Sequence, residues 1–350
     1  MPRYLVTGGA GFIGSALCLC LLEEEGAEVV ALDSMTYAAN PVTLDMLARQ
    51  PGFRHVREDI RNGDAVSEIV LRTQPDVIFH LAAETHVDRS IDSSGAFVLT
   101  NIVGTHNMLQ AARRWHDQLS ADQARRFRFI HISTDEVFGA LGETGQFSET
   151  TAYDPSSPYS ASKAGSDHLV RAWHSTYGLP TIISNCSNNY GPRQFPEKII
   201  PLMILKALHG EDLPVYGDGR NVRDWLYVDD HARALMRMAH AGMPGEVYCV
   251  GGRCELTNID LVQSVCSLLD RKRPGPRPYA EQIRFVQDRP GHDFRYAIDA
   301  GKIHRDLGWL PQTDFTKGLE KTIDWYLANE NWWRPIRDGL YQGQRLGSVA

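Results

Sequence analysis

Long hydrophobic runs are missing from this 350-residue chain, and no segment approaches the roughly 20 apolar residues that span a bilayer. Arg3 to Thr7 already reads as a strand, so neither a signal peptide nor a transmembrane helix is expected, and no membrane partner. A basic surplus is missing too. Lys and Arg number 36 against 43 Asp and Glu, a net charge of −7, which leaves no footprint for nucleic acid. A few local arginines would still suffice for an anionic ligand. The six cysteines (Cys18, Cys20, Cys186, Cys249, Cys254, Cys266) and the 13 histidines lack metal-ligand spacing. No metal is assigned, and reduced, buried thiols in a cytoplasmic protein are the expectation. The chain carries no internal repeat.

What is present is an ordinary globular composition, 43% hydrophobic and 23% charged. The length allows one large domain or two modest ones. Strand-like Arg3 to Thr7 runs into Gly8-Gly9-Ala10-Gly11-Phe12-Ile13-Gly14, a helical pattern follows, and a second strand, Glu28 to Leu32, ends at Asp33. Gly9, Gly11 and Gly14 satisfy G-x-G-x-x-G, and Gly8, Gly11 and Gly14 satisfy G-x-x-G-x-x-G. Glycines permit the tight turn and let a pyrophosphate approach the helix N-terminus, where free N–H groups favour an anion. A glycine turn can serve packing alone. Here it follows a strand, opens a helix and is followed by an acid about twenty residues on, the spacing of a ribose 2′-hydroxyl ligand. Asp33 therefore favours NAD over NADP, whose 2′-phosphate it would repel.

Strands and helices keep alternating through Arg54–Val56, Val77–Leu81, Phe127–Ile132 and Pro180–Ser184. The expected fold class is α/β, a Rossmann-type doubly wound parallel sheet with a smaller, discontinuous mixed α/β substrate-binding domain. Residues 1–187, with a return near 225–250, would bind the cofactor. Residues 188–224 and 251–335 would bind the substrate, and 336–350 would form a tail. Trp225 and Tyr227, aromatics between apolar neighbours, read as core.

Ser133-Thr134-Asp135-Glu136 follows one predicted strand, and Tyr159-Ser160-Ala161-Ser162-Lys163 opens a predicted helix. Residues four apart share a helix face, so phenol and ammonium can enter one site, and the cation is expected to favour phenolate. Two adjacent carboxyls beside that pair can move more than one proton. Their bland alternative is a pair of solvated loop acids.

These motifs resemble the extended short-chain dehydrogenase/reductase superfamily and, within it, the dTDP-glucose 4,6-dehydratase family. The narrower likeness rests on His80-Leu81-Ala82-Ala83-Glu84-Thr85-His86-Val87-Asp88-Arg89-Ser90, Ser133–Glu136, Asn185–Pro192 and Arg289–His292, and the likeness as a whole runs from Arg3 to about Trp325. The resemblance implies an NAD-dependent hydro-lyase that makes a 4-keto-6-deoxy sugar, as in dTDP-rhamnose biosynthesis. Catalytic roles fall on Thr134, Asp135, Glu136, Tyr159 and Lys163. Cofactor contacts fall on Gly8, Gly11, Phe12, Ile13 and Gly14 for the pyrophosphate, Asp33, Ser34, Met35 and Thr36 for the adenosine ribose, and Asp59 and Ile60 for adenine. Leu81, Ala82, Ala83, Thr85 and Thr100 fall on the ribose and phosphate side, and Asn189 near the nicotinamide. Thr85, Thr134, Asn188, Lys198, Pro214, Tyr216, Arg223, Asn258, Arg289 and His292 would meet the nucleotide sugar. Each arginine taken alone reads as surface charge.

The resemblance also implies a homodimer through the helices Asn101–Trp115 and Ser160–Trp173, whose apolar stripes could instead only cover their own sheet. The chain departs from the family pattern at Phe138 and Arg193. A UDP-sugar 4,6-dehydratase or 4-epimerase of the same superfamily is the alternative, and an NAD-sensing regulator without catalysis is the rival from another class. Thymine or uracil preference, the downstream pathway and NAD occupancy are not written in the sequence.

Overall fold

The computed structural model describes residues 1–288 and 292–341. In chain order its strands are β1 (Arg3–Thr7), β2 (Glu28–Asp33), β3 (Phe53–Arg57), β4 (Val77–His80), β5 (Arg128–Thr134) and β6 (Thr181–Cys186). They continue with β7 (Asn188–Tyr190), β8 (Leu213–Tyr216), β9 (Val222–Tyr227), β10 (Val247–Val250), β11 (Glu255–Thr257) and β12 (Ile283–Val286). Seven of them form one sheet in the order β10-β6-β5-β4-β1-β2-β3, with every pair parallel. Helices cover both faces, which explains why the inner strands are near-continuous apolar runs instead of alternating ones. Neighbours on one strand serve opposite faces. Tyr4 and Val6 pack in one core with Leu17, Leu21 and Tyr248, while Leu5 packs in the other with Ile78, Met108 and Phe129.

The strand order reverses between β1 and β4. A doubly wound sheet opens its ligand crevice at such a switch, outside the carboxyl ends of the strands. The segments after β1, β4, β5 and β6 all emerge there.

Two small sheets, β11-β9-β7 and β12-β8, stand beside the large one. A separate core, including Tyr190, Ile204, Trp225, Tyr227, Leu261, Ile323 and Tyr326, joins them to the helices Ile199–Leu208, Asn258–Lys272 and Phe315–Ala328. Trp225 and Tyr227 are therefore core. They lie in β9, outside the large sheet, so the chain's return toward that sheet starts with the helix Val228–Ala241. Residues 336–341, expected to open a tail, pack against the second core instead. Ile336 and Tyr341 are buried in the second core, Tyr341 facing the Phe195 ring at 6.4 Å, because the apolar side chains of this turn still find a surface to cover. Among the described residues no helix is long and apolar enough to cross a membrane, and no group of three or more His, Cys, Asp or Glu is arranged for a metal.

Candidate active site

The crevice is a cleft with about 340 Å³ of free volume, lined from the glycine turn at one end to Lys198 at the other. Its glycine wall is dictated by close approach. Gly8 has a φ of +71°, and a Cβ there would lie 2.9 Å from the Ala82 nitrogen. A Cβ on Gly14 would lie 2.1 Å from the Gly8 carbonyl oxygen, so neither position tolerates a side chain. The Thr7 hydroxyl oxygen accepts from the Leu81 and Ala82 N–H groups at 3.1 and 3.0 Å, tying the glycine turn to the loop after β4. With both bonds accepted, its own proton points to His80 Nδ1 at 2.8 Å, and the other ring nitrogen donates to Thr105 Oγ1 at 2.9 Å. Burial holds His80 neutral, far below the usual histidine range.

Asp33, 7% exposed, accepts from Ala10 N–H at 3.0 Å and Met35 N–H at 2.8 Å. Burial pushes its carboxyl upward against those bonds, which pull it down. Ser34 and Thr36 line the cleft, whereas Met35, with a left-handed φ of 58°, does not. A glycine cradle with no room for a Cβ, followed by an acid held by two backbone N–H groups, fits a dinucleotide.

Another part of the cleft is built by β5 and the helix Pro158–Tyr177. Thr134 ends β5 and caps the short 3-10 turn Asp135–Phe138, its hydroxyl accepting from Glu136 N–H at 3.2 Å and donating to Asp135 Oδ1 at 3.3 Å. A capping box of Ser157 and Ser160, with Pro158 in the first turn, starts the helix and sets Tyr159 and Lys163 on its cleft side. Tyr159 is 8% exposed and Lys163 4%; the ammonium donates to the Ile132 carbonyl at 2.7 Å. Burial, then the Glu136 charge, pushes the Tyr159 phenol well above its ordinary range. These influences outweigh the pull toward phenolate expected of Lys163. In this structure the ammonium spends its bond on a backbone oxygen, and burial lowers its own pKa.

Asp135 is 1% exposed, and its Oδ2 has no hydrogen-bond partner among the described residues. Burial first and the neighbouring Glu136 charge second raise its pKa well above the usual carboxyl value, which favours the neutral acid. The sign of the linkage follows. The native state keeps a proton that the unfolded chain releases, so this group costs stability as pH rises from 3.8 toward its folded value. Asp135→Asn is therefore expected to melt higher than the parent at about pH 8, with the gap closing toward about pH 4. Equal melting points at both pH values would contradict a neutral native Asp135.

Gly8, Gly11, Phe12, Ile13, Gly14, Asp33, Ser34, Thr36, Asp59, Ile60, Leu81, Ala82, Ala83, Thr85 and Thr100 all line this cleft, as do Thr134, Asp135, Glu136, Tyr159, Lys163, Asn188, Asn189 and Lys198. Pro214, Tyr216, Arg223, Asn258 and His292 do not. Pro214 and Tyr216 belong to β8, with the His292 ring 6.3 Å from that of Tyr216, and the Arg223 guanidinium bonds the carbonyls of Val222, Asp293 and Phe294. Arg289 lies outside the described residues. Phe138 packs against Phe147 and Tyr153, and Arg193 is half-buried beside Asp229 and Tyr227; neither lines the cleft.

Sequence reasoning missed Glu197 and Cys186 in the lining. Glu197 accepts from Arg89 Nε at 3.0 Å, a partner 108 residues away, while Arg89 stacks on Tyr37. Its place beside Lys198 was the available signal. Cys186 ends β6, and burial pushes its thiol up to about 12, which leaves it unreactive.

Comparison with known proteins agrees with this geometry. A family model described as GDP-mannose 4,6 dehydratase matches residues 5–322. A probable dTDP-glucose 4,6-dehydratase of Sinorhizobium fredii is 56% identical over 99% of this chain and 98% of its own. The dTDP-glucose 4,6-dehydratase of Neisseria meningitidis serogroup B is 54% identical over 99% of both chains. A Streptomyces venezuelae dTDP-glucose 4,6-dehydratase, solved with NAD and TYD bound, matches with a TM-score of 0.87 at 44% identity, covering 95% of this chain and 99% of its own. A Thermus thermophilus UDP-glucose 4-epimerase in complex with NAD has a TM-score of 0.82 at 28% identity, covering 93% and 99%. With the glycine cradle, the paired carboxyls and relatives more than half identical from end to end, the chain belongs to the dTDP-glucose 4,6-dehydratase family of the extended short-chain dehydrogenase/reductases.

Proposed function

We propose that this protein converts dTDP-glucose to dTDP-4-keto-6-deoxy-glucose and water. The observation that carries the reading is the pair Asp135–Glu136, set at the end of β5 in the same cleft as Tyr159 and Lys163, with Asp135 buried at 1% exposure. A 4-epimerase needs no elimination and has no use for two such acids.

The glycine turn, Asp33 and the loop after β4 would hold NAD, which would supply the hydride acceptor for C4 of the sugar and the hydride donor for C6. Tyr159 takes the 4-hydroxyl proton, and Thr134 hydrogen-bonds the 4-oxygen where charge develops. The 4-keto group acidifies C5–H, which Glu136 removes. Asp135 gives its proton to the departing 6-hydroxyl, and a proton returns to C5 as the last step. Lys163 holds the cofactor's ribose and supplies positive charge near the phenol. Nucleotide contacts are assigned to Asn188 and Lys198 in the cleft and to Pro214, Tyr216, Arg223, Asn258, Arg289 and His292 beside it. The second core supports giving the nucleotide sugar its own domain.

Exposed Val98, Leu99, Val103 and Tyr177 lie on or beside the two helices whose stripes suggested a partner, and they support a homodimer. A solution mass of one chain at micromolar concentration would refute it. The six cysteines, all unpaired and five of them buried, favour a reducing compartment such as the cytoplasm. The decisive experiment is mass spectrometry of parallel reactions with dTDP-glucose and UDP-glucose. Loss of one water from dTDP-glucose is expected; an unchanged mass with an inverted stereocentre would move the protein to the epimerases.

A further inference from the structure

A second buried carboxylate, unused by the steps above, lies directly beneath them. Asp167 sits one helical turn beyond Lys163 and is 0% exposed. Its Oδ2 accepts from Ser133 Oγ at 2.8 Å, Tyr153 Oη at 2.9 Å and Asn185 Nδ2 at 3.3 Å, and His131 Nε2 stands 3.1 Å from its Oδ1. The donors are not scattered. Ser133 directly precedes Thr134, Asp135 and Glu136, and the Asn185 amide also donates to the Thr134 carbonyl at 3.0 Å. One carboxylate thus gathers the ends of β5 and β6 and the helix carrying Tyr159 and Lys163.

Unpaired buried charges are costly, and this site contains two of opposite sign. Lys163 donates to a neutral carbonyl. The other groups around the pair are His80 on β4, His131 on β5, Asp135 and Glu136 after it, Tyr153 from the preceding loop, Cys186 at the end of β6, and Tyr159 on the same helix. Arg171, on that helix too, reaches Tyr153 from the exposed side at 3.4 Å. The histidines are held neutral by burial, and the Cys186 thiol is held protonated. Burial works to raise Asp167, yet His131, Lys163 and Ser133 together bring it below its ordinary value. Burial lowers Lys163, and Asp167 is the foremost influence raising it.

We propose that Asp167 is the counter-ion and positioning residue of the catalytic pair, keeping Lys163 charged and holding Thr134, Asp135 and Glu136 in place over Tyr159. The proposal rests on the dehydratase reading for its kinetic consequence, and on two groups buried one helical turn apart for the charge balance.

Asp167→Asn keeps the side chain's shape and removes its charge. Its alkaline limb in kcat/KM for dTDP-glucose is expected about one pH unit below the parent's, with roughly tenfold lower activity on that limb, because Lys163 then loses its proton more readily. Asp167→Glu, which restores the charge, should move the limb back. A limb that stays put in Asp167→Asn would overturn the proposal and leave Asp167 a structural residue. A melting cycle of Asp167→Asn, Lys163→Met and the double variant needs no substrate, so it still decides if the dehydratase reading fails or the single variant unfolds. The expected result is a double variant more stable than Asp167→Asn alone, since no uncompensated ammonium is left buried. Additive losses would sink the charge-balance assignment.

Discussion

Glu136→Gln is expected to stall with its cofactor reduced and to release product roughly 10²- to 10⁴-fold more slowly than the parent, the usual cost of removing a general base. The amide keeps the shape of the acid and the backbone bond to Thr134 Oγ1, so the turn that carries Asp135 should survive. What it loses is the proposed base for C5–H. It also loses a charge that two neighbours feel. The Glu136 carboxylate is second only to burial in raising both Tyr159 and Asp135. Without it the phenol ionises more easily, and the first oxidation should reach its full rate at a lower pH than in the parent. Asp135 meanwhile becomes a poorer reservoir for the proton that the leaving hydroxyl needs. Oxidation is helped and elimination is hindered, and the near-ultraviolet absorbance of reduced nicotinamide in a single turnover reads both. Product forming at the parent's rate, with no build-up of reduced cofactor, would show that another group takes the C5 proton. No reduced cofactor and no product would instead place Glu136 in the oxidation.

The two carboxyls show where sequence reading reaches its limit. Their positions were legible, because an apolar run ending in Thr134-Asp135-Glu136 puts them at a strand's carboxyl end whatever the tertiary detail. Their different environments were not. Asp135 is buried in the 3-10 turn, at 1% exposure, by packing from residues far along the chain. The glycine cradle was equally plain, since strand, turn, helix and Asp33 fall within one local unit. Asp167 was invisible for the opposite reason. An aspartate inside a helix reads as a solvated face, and only the folded sheet brings Ser133, Tyr153 and Asn185 onto it. The Arg89–Glu197 pair failed on the same ground. Local periodicity carries the order of strands and the motifs at their ends. It does not say which acid is buried by a partner a hundred residues away.

Tyr159→Phe should stop the reaction before any reduced cofactor forms, with a loss of roughly 10²- to 10⁴-fold in the oxidation. The substitution removes one oxygen and keeps the ring that meets Phe97 edge to face at 6.3 Å, so the helix and substrate affinity should be preserved. Its pH dependence discriminates better than its size. In the parent the phenol starts well above its ordinary range because of burial and Glu136, so the protonated form predominates at neutral pH and oxidation should accelerate as pH rises. A bound, positively charged nicotinamide and the Lys163 ammonium act in the direction that moves this rise toward neutrality. Phenylalanine has no proton to lose, and the residual rate of the variant should be flat with pH. If that rate still climbs with pH like the parent's, the base is another group. The buried Asp135 and Lys163 would then have to be tested in turn, each with the hydride-transfer step isolated from elimination by the Glu136→Gln background.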